Sequence, residues 1–340
     1  MAKEPAPLKA MRVAARAVDT SQRASRRVAT VTGRLTFPYR KPTVPLGVAL
    51  PARKPRYGAD FDTAWARRPV ARTTRIGIVE GPLRLALKAV ADPEVTGTDR
   101  LTDLLALVPD DEVAAPVIFA ANHQSHLDAP LMITSIPRPW RHRLVVGAAA
   151  DYFFGTAVTA TASALALGAI PIDRSKVNRR SADLATALLD DRWSLLIFPE
   201  GGRSPDGWGQ PFRGGAAFLS IRTGTPVVPV HIDGAGAIWG KGTKRINPGR
   251  TRVTFGAPIV PAEGEDARDL AERIEAAVAQ LADESATDWW SARLRAGRGQ
   301  TPSLAGPAAS SWRRAWALGD LRSARDTGRR RRRTRTWPDL

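Results

Sequence analysis

Short apolar runs alternate with longer segments of helical spacing through the middle of the chain. The short runs predict strands, and the longer segments, with apolar residues three or four positions apart, predict helices. The strands are predicted at 117–121, 144–148, 169–172, 194–198, 226–232 and 252–255, and the helices at 128–135, 181–190, 216–223 and 266–283. Such alternation predicts an α/β fold with a central, mostly parallel sheet flanked by helices.

Two further apolar stretches each allow two structural interpretations. Residues 73–91 predict an amphipathic helix, interrupted near Gly81 and Pro82, that either lies on a membrane surface or packs on the core. Residues 152–172 carry no charge and are about long enough to span a bilayer. They are rich in Ala, Thr, Gly and Ser, so a buried helix followed by a strand is the better interpretation. No signal peptide is expected at the N-terminus.

The net charge of +18 over 340 residues is concentrated at the two ends. Residues 1–80 carry 17 Lys and Arg against 5 Asp and Glu, and residues 286–340 carry 13 against 4. Residues 81–285 are nearly balanced, with 21 against 24. We therefore expect a basic, largely irregular N-terminal extension at 1–72, one central domain at 73–285, and a basic tail with Arg and Trp at 286–340. Both extensions are expected to be partly disordered.

Composition narrows the classes of partner and cofactor. The chain has no cysteine, which excludes disulfides, a thiol nucleophile and thiolate metal sites. Its four histidines lack the spacing of metal ligands, so no metal is expected. Basic tails favour phospholipid headgroups or nucleic acid, although solvated tails without a specific partner explain them equally well. No zinc-finger, RNA-binding or helix-turn-helix pattern appears, and Trp beside Arg is typical of a membrane interface.

The first group of chemically active residues follows the strand predicted at 117–121. Residues 122–128 read Asn-His-Gln-Ser-His-Leu-Asp. If a helix begins near Ser125, the Asp128 carboxylate can fold back onto the His123 imidazole, which would then accept a proton from an attacking hydroxyl. His and Asp at this spacing occur often by chance. His126 is a weaker candidate base, because the helix should turn it away.

The second group follows the strand predicted at 194–198 and reads Phe-Pro-Glu-Gly-Gly-Arg-Ser. Gly201 and Gly202 allow backbone N–H groups to approach an anion, and the planar guanidinium of Arg203 suits a phosphate. Glu200 either orients that arginine or binds a glycerol hydroxyl. Taken alone, the segment is better explained as a simple turn with a solvated charge.

Two more segments are apolar strands with an informative polar or proline residue. The first, Gly-Ala-Ile-Pro-Ile-Asp-Arg at 168–174, ends in a charged pair, and Arg174 is either a second phosphate ligand or the partner of Asp173. The second is Val-Val-Pro-Val at 227–230. A proline inside a strand predicts a sheet edge or the border of a pocket.

In this order the four segments resemble the glycerolipid acyltransferase family, whose best-known member acylates lysophosphatidic acid. The family patterns N-H-x-S-x-x-D, G-x-I-x-I-D-R, F-P-E-G-T-R-S and V-x-P-V correspond here to NHQSHLD, GAIPIDR, FPEGGRS and VVPV. The resemblance covers about residues 95–262. It implies a general base at His123 with Asp128 as its partner. It also implies that Glu200, Gly201 and Arg203, with Arg174, hold the acceptor phosphate. Gly202 and Ser125 are further candidate contacts of the substrate.

The resemblance implies transfer of a fatty acyl group from acyl-CoA or acyl-carrier protein to the hydroxyl of 1-acylglycerol 3-phosphate, in phospholipid synthesis and without a cofactor. Gly202 replaces the family's usual Thr, and residues 148–151 lack a Lys often found there. Glycerol 3-phosphate, a lyso-aminolipid or a glycolipid therefore stay open as acceptors. An inactive scaffold and nucleic-acid binding through the tails are weaker alternatives. We expect a peripheral or monotopic enzyme on an anionic membrane surface, at the cytoplasmic face of the plasma membrane, with acyl-carrier protein as a further candidate partner.

Overall fold

The computed structural model describes residues 58–106, 113–173, 179–204, 207–243 and 245–306. The predicted phosphate ligand Arg174 lies outside these ranges. So do the first 57 residues and those after residue 306, which make up most of the two predicted basic extensions.

In the described residues, one sheet of seven strands has the order β1-β7-β6-β2-β5-β3-β4. Strands β2 to β6 run parallel, β7 is antiparallel to β6, and β1 is parallel to β7. The predicted α/β fold with a mostly parallel sheet is thereby confirmed. The strands are Pro93–Thr96 (β1), Ile118–Ala121 (β2), Leu144–Ala149 (β3), Ala169–Ile172 (β4), Ser194–Ile197 (β5), Val227–Asp233 (β6) and Thr251–Phe255 (β7).

Helices cover both faces of this sheet, so its central strands are buried on both sides. This burial explains why strand β2 is an unbroken apolar run rather than an alternating one. The helices in the described residues are Pro69–Ile78, Arg84–Ala91, Thr102–Ala106, Asp128–Ser135, Arg138–Arg141, Ala150–Phe153, Ala157–Leu167, Arg179–Asp190, Gly215–Thr223, Ala235–Trp239, Ala267–Ala286 and Trp289–Gly297. The four predicted helices are all present, with ends shifted by three residues at most.

The amphipathic segment near the start of the domain packs on the core. Residues 69–91 are helical throughout, and the predicted interruption is a π-helical turn, Val79–Leu83, that contains Pro82. Proline cannot donate the regular helical hydrogen bond, which is a common cause of such wider turns. Leu87 and Val90 are buried in the larger core cluster. Of the two alternatives for this helix, the structure therefore supports packing on the core.

The charge-free stretch at 152–172 contains a helix followed by a strand, as predicted. Thr156 caps the start of helix Ala157–Leu167, and Gly168, with φ of 64°, ends it before β4. The prediction that this helix is buried was wrong, because Ala160 and Ala164 are its only buried residues and Val158 is 55% exposed. Among the described residues, no helix is both long and apolar enough to cross a membrane.

Pro229 lies on the interior strand β6, so the prediction of a sheet edge was wrong. Its carbonyl accepts a hydrogen bond from Gly256 N at 2.8 Å. The N–H and C=O of a strand residue point to the same side, so the missing N–H of Pro229 also faces Gly256. The ladder between β6 and β7 begins one residue later, at the pair Val230 and Phe255. The proline therefore stands where no donor is needed.

Candidate active site

The two main polar segments meet at one edge of the sheet. Residues 122–128 follow β2, residues 198–204 follow β5, and these strands are parallel neighbours. Both loops therefore leave the sheet at its carboxyl edge, where ligand sites of open α/β sheets form. Asn122 fixes the first loop, because its side-chain amide donates to Ile232 O at 2.9 Å and accepts from Ile232 N at 2.7 Å. The first loop is thus tied to strand β6 as well.

His123 and Asp128 are in direct contact. Nδ1 of His123 lies 2.8 Å from Oδ2 of Asp128, and the same oxygen accepts the backbone N–H groups of Gln124 and Ser125, each at 2.7 Å. Asp128 is fully buried at the first turn of helix Asp128–Ser135, while the His123 side chain is 20% exposed. Because the Asp128 carboxylate is the acceptor for both backbone N–H groups, it is also the acceptor for Nδ1–H of His123. The neutral ring then has Nε2 as its proton acceptor.

Glu200 supports the histidine from the second loop, through the backbone rather than through the ring. Its Oε1 accepts His123 N at 2.8 Å, and its Oε2 accepts Gln210 N at 2.9 Å. Ser204 N in turn donates to His123 O at 2.8 Å. The Phe198 ring stacks on the imidazole at 4.2 Å between centroids. These contacts fix both the backbone and the ring plane of His123.

Arg203 lies beside the second histidine of the first loop. Its Nη1 pairs with Nε2 of His126, and its guanidinium stands 5.8 Å from the Tyr152 ring centroid. Burial, followed by the positive charge of Arg203 and the neighbouring imidazole of His123, lowers the pKa of His126 to about 4. His126 is therefore neutral near pH 7. It also lies 4.8 Å from the Trp239 ring, so it packs between aromatic side chains next to the arginine.

Ser125 has a well-defined structural contact. It is fully buried, its Oγ donates to Trp239 O at 2.8 Å, and Leu127 N donates to that Oγ at 3.1 Å. An isolated antiparallel bridge also joins Ser125 to Gly240. The serine thus attaches the histidine loop to the segment after helix Ala235–Trp239. Its predicted contact with substrate stays a prediction.

The Gly pair of the second loop has two different roles in the backbone. Gly201 has φ of 69°, and a Cβ there would lie 2.9 Å from the guanidinium carbon of Arg213, so only glycine fits without rearrangement. Its N–H donates to Phe198 O at 3.0 Å. In the described part of the chain, the N–H of Gly202 makes no hydrogen bond, although the carbonyl of Gly202 accepts Gln210 Nε2 at 3.4 Å.

Three residues outside the recognised motifs also reach this site. Lys241 Nζ donates to Arg203 O at 3.4 Å, Gln210 Nε2 donates to the same oxygen at 3.4 Å, and Arg213 N donates to Pro199 O at 3.0 Å. The sequence interpretation missed all three residues. Lys241 directly follows Gly240, which forms the bridge with Ser125. No local sequence pattern identifies this lysine. Only the fold places it beside residues 38 positions earlier.

Comparison with known proteins identifies a family for the central part of the chain. Residues 92–233 match the acyltransferase family. The chain is 30% identical over 179 residues to 1-acyl-sn-glycerol-3-phosphate acyltransferase alpha of Ovis aries, and 30% identical over 161 residues to 1-acyl-sn-glycerol-3-phosphate acyltransferase BAT2, chloroplastic, of Brassica napus. The matches cover 51% and 46% of this chain. The region 92–233 of this chain is therefore a domain of the acyltransferase family.

The chain spans about half the length of these relatives, with 60% of the first and 45% of the second covered. Among solved structures, it is similar to the 1-acyl-sn-glycerophosphate (LPA) acyltransferase PlsC from Thermotoga maritima. That alignment covers 67% of this chain and 85% of the other, at 24% sequence identity and a TM-score of 0.49.

Proposed function

We propose that the protein transfers a fatty acyl group from a thioester to the hydroxyl of a 1-acylglycerol 3-phosphate. The observation that carries the proposal is the contact between His123 and Asp128 beside a loop that holds Arg203. A base and a cation at one sheet edge suit an acceptor that has a hydroxyl and a phosphate on one small glycerol unit. The names of the Ovis aries and Brassica napus relatives support the same acceptor.

The proposed reaction is a direct transfer. Nε2 of His123 removes the proton of the acceptor hydroxyl as its oxygen attacks the thioester carbonyl carbon. A new C–O bond forms, and the tetrahedral intermediate collapses with cleavage of the C–S bond. The thiolate takes the proton from the imidazolium, which Asp128 stabilises meanwhile. The products are a diacylglycerol phosphate and a free thiol, and His123 returns to its starting state.

Arg203 and Lys241 would hold the acceptor phosphate. The guanidinium of Arg203 matches the geometry of phosphate oxygens, and Lys241 adds a second positive charge beside the same loop. Neutral His126 adds no third charge at working pH. Fixing the phosphate would bring the hydroxyl to His123, which is a gain from positioning. Arg174, Glu200, Gly201 and Ser125 stay predicted contacts of the substrate.

The oxyanion of the intermediate needs hydrogen-bond donors. The N–H groups of His123, Gln124, Ser125, His126 and Gly201 all donate within the protein. Of the two glycines that the sequence suggested for an anion, Gly202 has the N–H without an acceptor in the described residues, so it is the stronger candidate. It would serve either the oxyanion or a phosphate oxygen.

The proposed enzyme would work at a membrane surface, because its acceptor is a lipid. The exposed aromatic residues of helix Trp289–Gly297 support this, since Trp289 is 48% and Trp290 is 69% exposed. Arg293 lies 5.1 Å from the Trp289 ring, which gives the helix the Trp and Arg combination typical of membrane interfaces. The cytoplasmic face and the identity of the thiol carrier, CoA or acyl-carrier protein, stay predictions.

The test is an acyl-transfer assay on the full chain with a labelled thioester, carried by CoA or by acyl-carrier protein. Its acceptors are 1-acylglycerol 3-phosphate, glycerol 3-phosphate, a lyso-aminolipid and a glycolipid. We expect the first to be preferred, and His123→Ala to lower kcat by at least about a hundredfold. His126→Ala is the matched control and should keep kcat within a few-fold.

Two outcomes would contradict the proposal. Near-normal turnover in His123→Ala would remove the base. A preference for another acceptor would keep acyl transfer but reject the lysophosphatidic substrate, and the replacement of Thr by Gly202 makes glycerol 3-phosphate the next candidate.

A further inference from the structure

A cluster of arginines lies at the amino edge of the sheet, away from the His123 loop. Arg67, Arg72 and Arg75 come from residues 64–78, and Arg143 directly precedes β3. The guanidinium groups of Arg72 and Arg143 stand 5.8 and 5.2 Å from the ring centroid of Trp193, which precedes β5. We call these four arginines the amino-edge cluster.

Arg75 is the buried member of the cluster. It is 6% exposed, and among the described residues neither of its terminal nitrogens has a hydrogen-bond partner, nor does the buried Nε of Arg72. The other members are half-buried, so they stand closer to solvent. Gly168, which precedes β4, makes room for the guanidinium, because a Cβ there would lie 2.9 Å from Nη1 of Arg75. The cluster thus combines one buried guanidinium with three that are partly exposed.

Burial and the neighbouring positive charges both disfavour the charged form of Arg75. Burial, followed by the positive charges of Arg72 and Arg67, lowers the pKa of Arg75 to about 10, and the group stays charged near neutrality. Asp62 and Asp191 are the acids that act on the cluster, but they face Arg67, and Asp191 also faces Arg143. A buried charge without a hydrogen-bond partner is costly, so such a group calls for an explanation.

We propose that the amino-edge cluster binds a phosphate group. In the described part of the chain, nitrogens of Arg75 and Arg72 lack acceptors, while Arg67 and Arg143 already donate to protein oxygens and add their positive charge. Several guanidinium groups of this kind match a doubly charged, tetrahedral oxyanion better than a single carboxylate. The group belongs either to free phosphate or to the headgroup of an anionic lipid. This site would be separate from the acyl-transfer site. Arg143 and Trp193 precede the parallel strands β3 and β5, at the amino edge of the sheet, while His123 follows β2, at the carboxyl edge.

The first experiment measures the Tm of the full chain at constant ionic strength, in phosphate and in chloride. All variants carry Arg203→Ala, so that phosphate bound at the proposed acyl-transfer site does not contribute. We expect phosphate at ten times its Kd to raise the Tm by about 3 °C in this background. The added change Arg75→Met should abolish the rise. Arg222→Met, at an exposed arginine paired with Asp183, should keep it.

The chloride measurement separates binding from a structural role. Because the terminal nitrogens of Arg75 have no hydrogen-bond partner within the described ranges, Arg75→Met should melt in chloride no lower than its parent. A rise that persists in Arg75→Met, or one that chloride reproduces, would overturn the proposal. Should Arg75→Met fail to fold, Arg72→Met provides the same comparison.

The second experiment distinguishes the two sources of phosphate. Flotation with phosphatidic acid vesicles is compared with flotation on phosphatidylcholine vesicles. A several-fold loss of phosphatidic acid binding in Arg75→Met would assign the site to a lipid headgroup. Unchanged flotation together with a lost phosphate shift would assign it to free phosphate. If neither measurement depends on Arg75, the site does not exist.

Discussion

Glu200 is joined to His123 through the backbone N–H of the histidine, which donates to Oε1 at 2.8 Å. The second carboxylate oxygen accepts Gln210 N, and the side chain is 2% exposed. This relationship makes Glu200 a positioning residue for the base. The sequence had suggested instead an orienting contact with Arg203 or a bond to a glycerol hydroxyl. The structure thus offers a third role that can be separated from those two.

Glu200→Gln is therefore expected to act on kcat. A glutamine amide has one acceptor oxygen and one donor nitrogen, so it can accept only one of the two N–H groups. Misplacement of His123 should lower kcat about tenfold and leave the acceptor KM within about threefold. Steady-state kinetics with 1-acylglycerol 3-phosphate measure both. An unchanged kcat with a raised KM would instead support direct binding of the glycerol unit.

Arg203→Ala is expected to raise the KM for phosphate-bearing acceptors about tenfold or more, with kcat within a few-fold. The reason is the loss of a charge-assisted contact that is made equally in the ground state and in the transition state. Arg222→Ala, which removes an exposed arginine elsewhere, serves as the control. An acceptor KM that does not move in Arg203→Ala would count against the phosphate role.

Gly202→Thr restores the hydroxyl that the family pattern contains. One added hydrogen bond should improve kcat/KM for 1-acylglycerol 3-phosphate over glycerol 3-phosphate by about three- to tenfold. Gly202→Ala restricts the backbone similarly without adding a hydroxyl, and it should leave this ratio near that of the unchanged protein. The competition is measured with both acceptors in one reaction. Equal effects of Thr and Ala would show that the hydroxyl does not set acceptor preference.

His231 is expected to make stability depend on pH. Burial lowers its pKa to about 4, although nearby Asp233 acts in the opposite direction, whereas an unfolded histidine titrates near 6.5. Between these values the unfolded chain binds a proton that the folded chain does not. The free energy of unfolding is therefore highest above about pH 6.5 and decreases as the pH falls towards 4.

Replacing His231 with Gln should reduce this decrease. The loss of unfolding free energy between pH 7 and pH 5, measured by urea titration, should be smaller by about 2 kcal/mol than in the unchanged protein. His126 is present in both proteins, so its own titration cancels in the comparison. His231→Phe provides a second variant that cannot titrate. Identical pH dependence in all three proteins would contradict the prediction.

The sequence was sufficient for the central part of the fold. Strands buried on both faces are runs of mostly apolar residues, so β2, β5 and β6 could be located to within about a residue. The contact between His123 and Asp128 was predictable because it is local and depends on a helix starting close to Asp128. The exact ends of elements were less certain, since the last turns depend on tertiary contacts.

Features set by distant contacts could not be predicted in this way. Strand β1 has four residues, two of them exposed, so it has too little apolar pattern to be recognised. The direction of β7 depends on pairing with β6 and not on its own residues. Lys241 beside Arg203, and Arg75 beneath Gly168, are products of packing between elements far apart in the chain.

The pairing of β2 has a consequence for how the protein acquires its shape during synthesis. This strand carries the histidine loop, yet its two neighbours, β5 and β6, come from much later in the chain. Parallel pairing over such separations is slow, because a long loop must close before any contact is gained. A ribosome-bound chain that ends before β6 would leave one flank of β2 without its hydrogen bonds. Such nascent chains should depend on chaperones until the sixth strand emerges.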